Sequence, residues 1–341
     1  MALKAKDIAE MLGVSTATVS LVLNNKPGVG AKKREEIIRK IKEMGGEYLL
    51  EKKNILENRG VIGFVVYKKV GCIIDESPFF TYILEEITNQ LTNYGYSLGF
   101  VYLSKDSSVQ EQEKQLKTMD YKGFLIFGVE MRRDDLQIFV NSGLPFCVLD
   151  NSFQESDVDS VSINNEQGME YAIRYLCKMG HKNIGYIKSC VRVNSFDERY
   201  RFFKRSLKRL GLEFCKEYVV NVEYSEEKII EGMIEYLKEN KNNLPTAFFA
   251  ENDFLACNAL QAIQKYGYFV PQDISLVGFD DRPITQIVTP KITTVNVPKN
   301  IFGSVAVEVL MSRLEGGREQ SLKIGLGTKL VERESVRKIE V

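Results

Sequence analysis

The chain has 341 residues, 44% hydrophobic and 27% charged, an ordinary globular composition and long enough for two or three domains. Lys+Arg and Asp+Glu both total 46, which excludes a uniformly basic or acidic protein. Residues 1–59 nevertheless hold 12 Lys/Arg against 8 Asp/Glu, a net of +4, leaving −4 for the remainder; a weakly basic head on a weakly acidic body suits a phosphate-contacting module on a separate sensor.

Lys6 to Leu12 reads K-D-I-A-E-M-L. Ile8, Met11 and Leu12 fall at i, i+3, i+4, one face of a short helix. Gly13 stops it, because glycine tolerates positive φ. Ser15 is a natural N-cap for a second helix, Thr16 to Leu23, with Val19, Val22 and Leu23 inward. Two short helices joined by a tight turn form a helix-turn-helix. Asn24 to Gly28 is a loop. A third helix is expected over about Ala31 to Met44, with Ile37, Ile38, Ile41 and Met44 as its apolar stripe, ended by Gly45-Gly46. A ligand-free three-helix bundle has the same pattern. The outward face of the second helix points to more: Thr16, Ala17, Thr18 and Ser20 are small or hydroxylic, as close approach to a DNA groove requires.

Beyond Val61 short apolar runs alternate with amphipathic helices. The runs are Val61–Tyr67, Ser97–Leu103, Gly123–Phe127, Phe146–Leu149, Asn183–Ile187, Tyr218–Val222, Ala247–Ala250 and Ile274–Phe279. Helical stretches include Tyr82–Tyr94, Glu166–Met179 and Phe254–Tyr266. Such alternation gives doubly wound parallel sheets, and this many strands divide better into two lobes than one sheet. Small ligands bind at the carboxyl ends of strands in such folds. Helix Ile301–Leu314, apolar at Phe302, Val305, Val309 and Leu310, reads as core or dimer surface.

The segment Lys6–Val29, K-D-I-A-E-M-L-G-V-S-T-A-T-V-S-L-V-L-N-N-K-P-G-V, resembles the N-terminal signature of the lactose-repressor (LacI/GalR) family. The resemblance continues through E-S-P-F-F (76–80), S-I-N-N-E-Q-G (162–168), M-G-H-K-N-I-G-Y-I (179–187), the run 250–281 ending in V-G-F-D-D, and T-P-K-I-T-T-V (289–295). It implies an all-α helix-turn-helix DNA-binding head (residues 1–46), a hinge or linker (47–60), and an α/β periplasmic-binding-protein-like core (61–341) of two doubly wound parallel-sheet lobes. The lobes are expected at about 61–160 with 293–324, and 161–292 with 325–341, joined by crossover strands near 158–164, 290–296 and 322–328. The implied function is a repressor that binds a palindromic operator as a homodimer under control of a small molecule, sugar-like or nucleobase-like, in the interlobe cleft.

By that resemblance Thr16, Ala17 and Leu21 occupy base-reading positions, and Ser15, Thr18, Ser20 and Asn24 phosphate-contacting ones. Leu21 departs from the Arg or His common there: it offers no hydrogen bond but can touch a thymine methyl. The hinge departs too. Residues 47–59 lack the usual Pro entry and A-R-x-L pattern; Lys53, with Ile55 or Leu56, can stand in for the basic residue and minor-groove wedge. A flexible linker without a wedge is the alternative. The implied effector contacts are Phe79, Phe127, Asp150, Arg199, Asn252 and Asp280. Against that reading, Asp280 and Asp281 can cap a loop, and Arg199 can pair with Asp197 or Glu198 on the surface.

His181, the only histidine, reads as structural, and no G-x-S-x-G, Walker or G-x-G-x-x-G motif appears. No enzymatic activity, cofactor or metal is expected. The six cysteines (72, 147, 177, 190, 215, 257) are scattered and read as reduced. With no signal peptide expected and no stretch near about 18 apolar residues, the protein is expected in the cytoplasm, with no membrane partner. A protein co-regulator in place of the small molecule stays open as an alternative; a solute-binding protein of the same core fold is the weaker one.

Overall fold

The computed structural model describes residues 5–23, 28–46, 58–76, 79–316 and 318–340. Backbone contacts divide the chain into two units, Met1–Gly60 with Leu91–Ser97, and Val61–Gln90 with Leu98–Val341.

The first unit carries three helices, α1 (Ala5–Leu12), α2 (Thr16–Leu23) and α3 (Ala31–Glu43). Their apolar positions meet: Ile8, Val19, Ile37 and Ile41 are fully buried, Ala9 and Val22 nearly so. At about 1.5–3 kcal/mol per buried aliphatic side chain, these few residues supply most of what holds so small a module together. Gly13 turns the chain at φ 62°, a value that costs a glycine little. The Ser15 hydroxyl then accepts from the Thr18 amide at 3.0 Å and caps α2. Helix α3 ends one residue earlier than its periodicity suggests, with Met44 as its C-cap.

The second unit is α/β. Its elements in order are β1 (Gly60–Lys68), α4 (Cys72–Glu76), α5 (Leu84–Asn93), β2 (Tyr96–Ser104), α6 (Val109–Leu116), β3 (Tyr121–Phe127), α7 (Gln137–Ser142), β4 (Phe146–Leu149), β5 (Asp159–Ile163), α8 (Asn165–Lys178), β6 (Ile184–Ser189), α9 (Asn194–Arg209), β7 (Val219–Val222), α10 (Glu226–Glu239), β8 (Ala247–Ala250), α11 (Asp253–Tyr266), β9 (Ser275–Asp280), α12 (Ile284–Ile287), β10 (Thr293–Asn296), α13 (Lys299–Leu314), β11 (Lys323–Leu326) and β12 (Lys329–Val331). The helix anticipated from Tyr82 begins at Leu84, after a 3₁₀ turn over Phe79–Tyr82.

Among the described residues there are two six-stranded sheets, ordered β11-β5-β4-β3-β1-β2 and β12-β10-β9-β8-β6-β7. Strand pairs β1–β3, β3–β4, β4–β5 and β5–β11 of the first are parallel, as are β7–β6, β6–β8, β8–β9 and β9–β10 of the second; β12 runs antiparallel to β10. Strands β8 and β9 are buried at every residue, because helices cover both faces of a parallel sheet. That double burial explains why they read as unbroken apolar runs.

The chain passes between the sheets three times. β5 lies in the first sheet and leads into α8, which packs on β10 and β12 of the second. β10 lies in the second sheet and leads into α13, packed on β3, β4 and β5 of the first. β11 of the first is followed directly by β12 of the second. Each of these strands stays with its first sheet a few residues past the divisions expected at 160, 292 and 324. Phe302 and Leu310 of α13 are fully buried, so that helix is core.

Two polar ties close the edges. His181 is buried, with Nδ1 2.9 Å from Thr246 Oγ1 and Nε2 3.1 Å from the Arg337 carbonyl; burial lowers its pKa and keeps it neutral, a structural role. Next to it Gly180 sits at φ +92°, where a Cβ would lie 2.4 Å from the Ile339 carbonyl oxygen. In the first lobe the buried Asp159 carboxylate accepts from Arg313 Nε at 2.7 Å, Arg318 Nη1 at 2.8 Å and the Leu322 amide at 2.7 Å. Burial alone would raise its pKa, but the bonds from Arg318, Arg313 and Leu322 outweigh that and hold it below the ordinary value. Its stabilising contribution is therefore present above the ordinary carboxylate range and is lost as pH falls through the lowered value. Asp159→Ala strands two guanidinium groups and is expected to cost about 3–5 kcal/mol near neutral pH, read from urea unfolding; a loss near zero would show the clamp to be ornamental.

Candidate functional site

In the first unit, α2 exposes Thr16, Ala17 and Ser20, while Thr18 and Leu21 are half-buried. The Ser15 and Thr18 hydroxyls lie 2.8 Å apart, so both are partly committed to the cap. The Leu21 Cδ1 lies 3.3 Å from where a Cβ on Gly28 would be, which means the side chain leans on the loop that follows the helix. A small exposed surface with one apolar residue beside it is what this helix offers a groove. Asn24 and Lys53, the other two candidates, lie outside the described residues, as does nearly all of the hinge.

In the second unit, loops at the carboxyl ends of the strands line a narrow cavity of about 30 Å³. Phe79, Phe127, Asp150, Arg199, Asn252 and Asp280 all face it, with Ile73, Val129, Ile163, Ser195 and Phe196 completing the wall. The six candidates drawn from both lobes are thus brought together, on β3, the residue after β4, α9, β9, a 3₁₀ turn and the N-cap of α11.

Arg199 is not a surface residue: its side chain is 3% exposed. Nε donates to Asn165 Oδ1 at 2.9 Å, Nη1 to the Glu251 carbonyl at 2.6 Å, and Nη2 to Asp280 Oδ1 at 3.4 Å. The guanidinium also stacks on Phe279, 3.7 Å from the ring centre. The bulky Arg201-Phe202-Phe203 that follows does not displace it, because Phe203 turns inward against Tyr186. Asp280 and Asp281 do hold strained backbone, at φ 106° and 52°, in a region side chains seldom adopt. Lys299 Nζ reaches their carbonyls at 2.6 and 3.0 Å, tying the first turn of α13 to the end of β9.

Asn252 is more committed than the sequence suggests. Its Oδ1 accepts from the Leu255 amide at 3.0 Å and caps α11, and its Nδ2 donates to Tyr224 Oη at 2.7 Å; one amide hydrogen remains for a ligand. Phe127 is buried against Phe80, 5.5 Å between ring centres, and serves as wall. Tyr224, Glu251, Lys299 and Asn165 were missed by sequence reasoning. Nothing local marks them, since each matters through partners far along the chain.

Three carboxyl groups around the cleft are pushed up by burial. Asp150 reaches about 7, with Arg199 opposing and Asp280 and Glu198 adding to the rise. Glu251 reaches about 7 despite Arg192, which holds both its oxygens at 2.8 and 2.9 Å. Asp280 rises too, against Arg199 and Lys299. Among the described residues nothing donates a hydrogen bond to the Asp150 carboxylate, which leaves an acceptor waiting for a donor-bearing ligand. The site has apolar wall, acceptor and guanidinium side by side.

A helix-turn-helix unit and a two-lobed α/β core are the architecture of a DNA-binding transcriptional regulator. Residues 4–45 match the family described as bacterial regulatory proteins, lacI family, and residues 173–336 a periplasmic binding protein-like domain. The HTH-type transcriptional repressor PurR of Pectobacterium carotovorum subsp. carotovorum (strain PC1) is 30% identical over 338 residues, 97% of this chain and 96% of that one. The transcriptional regulator CelR in complex with cellobiose superposes with TM-score 0.71 at 25% identity, covering 98% of this chain and 99% of that one. The lac repressor dimer bound to operator and an anti-inducer superposes with TM-score 0.69 at 21% identity, covering 99% of this chain and 100% of that one. The chain belongs to the LacI family of DNA-binding transcriptional repressors, and its relatives are regulators rather than enzymes.

The raised Asp150 pKa has a measurable consequence. In the unliganded fold this carboxyl keeps a proton that the unfolded chain gives up near its ordinary 3.8. It therefore contributes stability at low pH that is lost as pH rises toward about 7. Asp150→Asn keeps a residue that tolerates φ 60° and removes the charge. Its thermal midpoint is expected above wild type at pH 8 and level with it below pH 3.8, the gap opening as pH rises from 3.8 to about 7. The same offset at both pH values would show that the carboxylate is solvated.

Proposed function

We propose that the protein is a cytoplasmic homodimeric repressor that reads a palindromic operator and is released or recruited by a sugar or sugar derivative bound between the lobes. Residues 1–46 act as the DNA head, 47–60 as the hinge and 61–341 as the effector core. The observation that carries the effector part is the cleft itself: Asp150 and Asp280 as acceptors, Arg199 and Asn252 as donors, and aromatic walls at Phe79, Phe127 and Phe196. Paired acceptors and donors beside ring faces suit a hydroxylated ring, and the related CelR holds cellobiose. The same aromatic walls favour a second reading, a planar nucleobase-like effector stacked between phenylalanines.

On α2, Thr16, Ala17 and Leu21 are taken as base readers, with Ser15, Thr18, Ser20 and Asn24 as phosphate contacts and Lys53 as a hinge contact. Two surfaces support self-association. On the edge strand β2, Phe100 and Tyr102 are 46% and 58% exposed and stacked on each other; on the second lobe, Ile284 and Ile287 of α12 are 39% and 74% exposed. Exposed apolar patches of this kind mark protein contacts, and a C₂ pairing places two reading helices on a two-fold site.

Selection of bound sequences from a random DNA pool with the full chain tests the head. The expected product is a palindrome whose two half-sites each lose preference at one base pair in Leu21→Ala, with no preference at that position for a base read by hydrogen bonding. A non-palindromic product, or one unaltered by Leu21→Ala, contradicts the dimer or the register. Titrating the full chain on that operator with monosaccharides and with free nucleobases tests the cleft. Operator affinity shifted by sugars supports the leading reading; a shift by nucleobases alone supports the second, and a response to neither leaves a protein co-regulator.

A further inference from the structure

Outside the narrow inner cavity the cleft opens into a second space of about 330 Å³, lined from the first lobe by Arg132, Arg133 and residues 151–156 and from the second by Asn194, Glu198 and Arg201. The two spaces are neighbours along three backbones: Asp150 faces the inner one and Asn151 the outer, Ser195 the inner and Asn194 the outer, Arg199 the inner and Glu198 the outer. One molecule with two parts can reach both.

The charges in the outer space are unevenly satisfied. Glu155 lies 3.7 Å from Arg133. Glu198 accepts from the side-chain amides of Asn165 at 2.8 Å and Asn194 at 3.2 Å. Arg132 has only the Arg192 carbonyl as side-chain partner, at 2.9 Å, and Arg201 rests its guanidinium over Phe202, 4.8 Å from the ring centre. Neither has a carboxylate partner among the described residues. The sixteen-residue helix α9 starts at this point, and Val193 at its N-cap offers no side chain to its free amides. Two guanidinium groups without a carboxylate partner among the described residues face one space, beside Glu155 and Glu198, and Asn194 at the start of α9 lines it too. A phosphate monoester carries about −1.5 to −2 charge near neutral pH, and its oxygens match both guanidinium geometry and backbone amides.

We propose that this outer basin is a phosphate subsite: the effector is a phosphorylated ring compound whose ring sits against Asp150 and Arg199 and whose phosphate is received by Arg132, Arg201 and the start of α9. The inference rests on the cleft being the effector site. It narrows the ligand to phosphate monoesters, whether of sugars or of nucleosides. It also explains why the mouth of a cleft in a chain of zero formal net charge keeps two arginines without acidic partners. Because both side chains are exposed, the preference should weaken with ionic strength.

The test uses the full chain and Arg132→Met/Arg201→Met, two surface changes that leave the inner cavity intact. Inorganic phosphate is the first probe, against chloride at equal ionic strength. It is expected to raise the thermal midpoint of wild type more than that of the double variant; equal protection of both overturns the subsite. Calorimetric titration then compares glucose 6-phosphate with glucose, ribose 5-phosphate with ribose, and AMP with adenosine. At least one phosphorylated member is expected to bind wild type about tenfold or more tightly than its parent, which is roughly 1.4 kcal/mol. That advantage should vanish in the double variant while the parent's affinity is unchanged. No advantage in any pair, or one that survives in the double variant, overturns the proposal. The pair that responds tells sugar from nucleoside. Asp150→Asn separates the two levels: it should weaken every ring compound yet leave the inorganic phosphate effect. Parent compounds that bind Asp150→Asn as well as wild type defeat the cleft reading, and the phosphate arm still decides the mouth.

Discussion

The guanidinium of Arg199 is buried where a bare charge would cost several kcal/mol, and much of the second lobe's side of the cleft is arranged to make that position tolerable. Helix α8 supplies the Asn165 oxygen, β8 runs into the Glu251 carbonyl, and β9 ends in Asp280 and brings Phe279 under the planar face. These contacts spend most of the donors of Arg199. They also hold one end of Asp280 in a backbone conformation that a free chain would avoid. The polar groups on this side of the cleft are thus already fixed by one another.

The same burial explains the carboxyl groups. Asp150 comes from the first lobe, Asp280 from the second, and they share one cavity with one buried arginine between them. Two acidic groups and one cation leave a surplus of negative charge in a low-dielectric space, and the pKa values rise until the surplus is reduced. Lys299 adds a second cation at the edge, reaching from α13 to the strained carbonyls of Asp280 and Asp281. Its own pKa is lowered by burial, against the pull of Asp280 and Asp281. A ligand that donates to Asp150 replaces a missing partner.

Within the head, three buried isoleucines, two valines and an alanine fix the packing while α2 leaves Thr16, Ala17 and Ser20 outside. The division of labour is the same as in the cleft. Apolar side chains at helical spacing set the scaffold, and short polar ones at the remaining positions make the contact surface. Leu21 stands between the two roles, half-buried on Gly28 yet on the reading helix.

The sequence alone determined what depends on local chemistry. Ile8, Leu12, Val19, Val22, Ile37 and Ile41 repeat at helical spacing, Gly13 and Ser15 mark a stop and a start, and the runs at β3, β4, β8 and β9 are too apolar to be anything but doubly covered strands. Resemblance at E-N-D-F and G-F-D-D implied Asn252 and Asp280 as effector contacts, and both line the cavity. What only the tertiary structure decided is who meets whom. Arg199 reaches Asn165, 34 residues away, and Asp280, 81 residues away; Glu251 closes on Arg192 across 59 residues; and Asp159 pairs with Arg313 and Arg318 more than 150 residues on. No periodicity records such pairs, because a buried charge is permitted only by partners that the fold delivers. The same reason hid Tyr224 and Lys299, ordinary residues in a linear reading, which become part of the cleft once two sheets face each other.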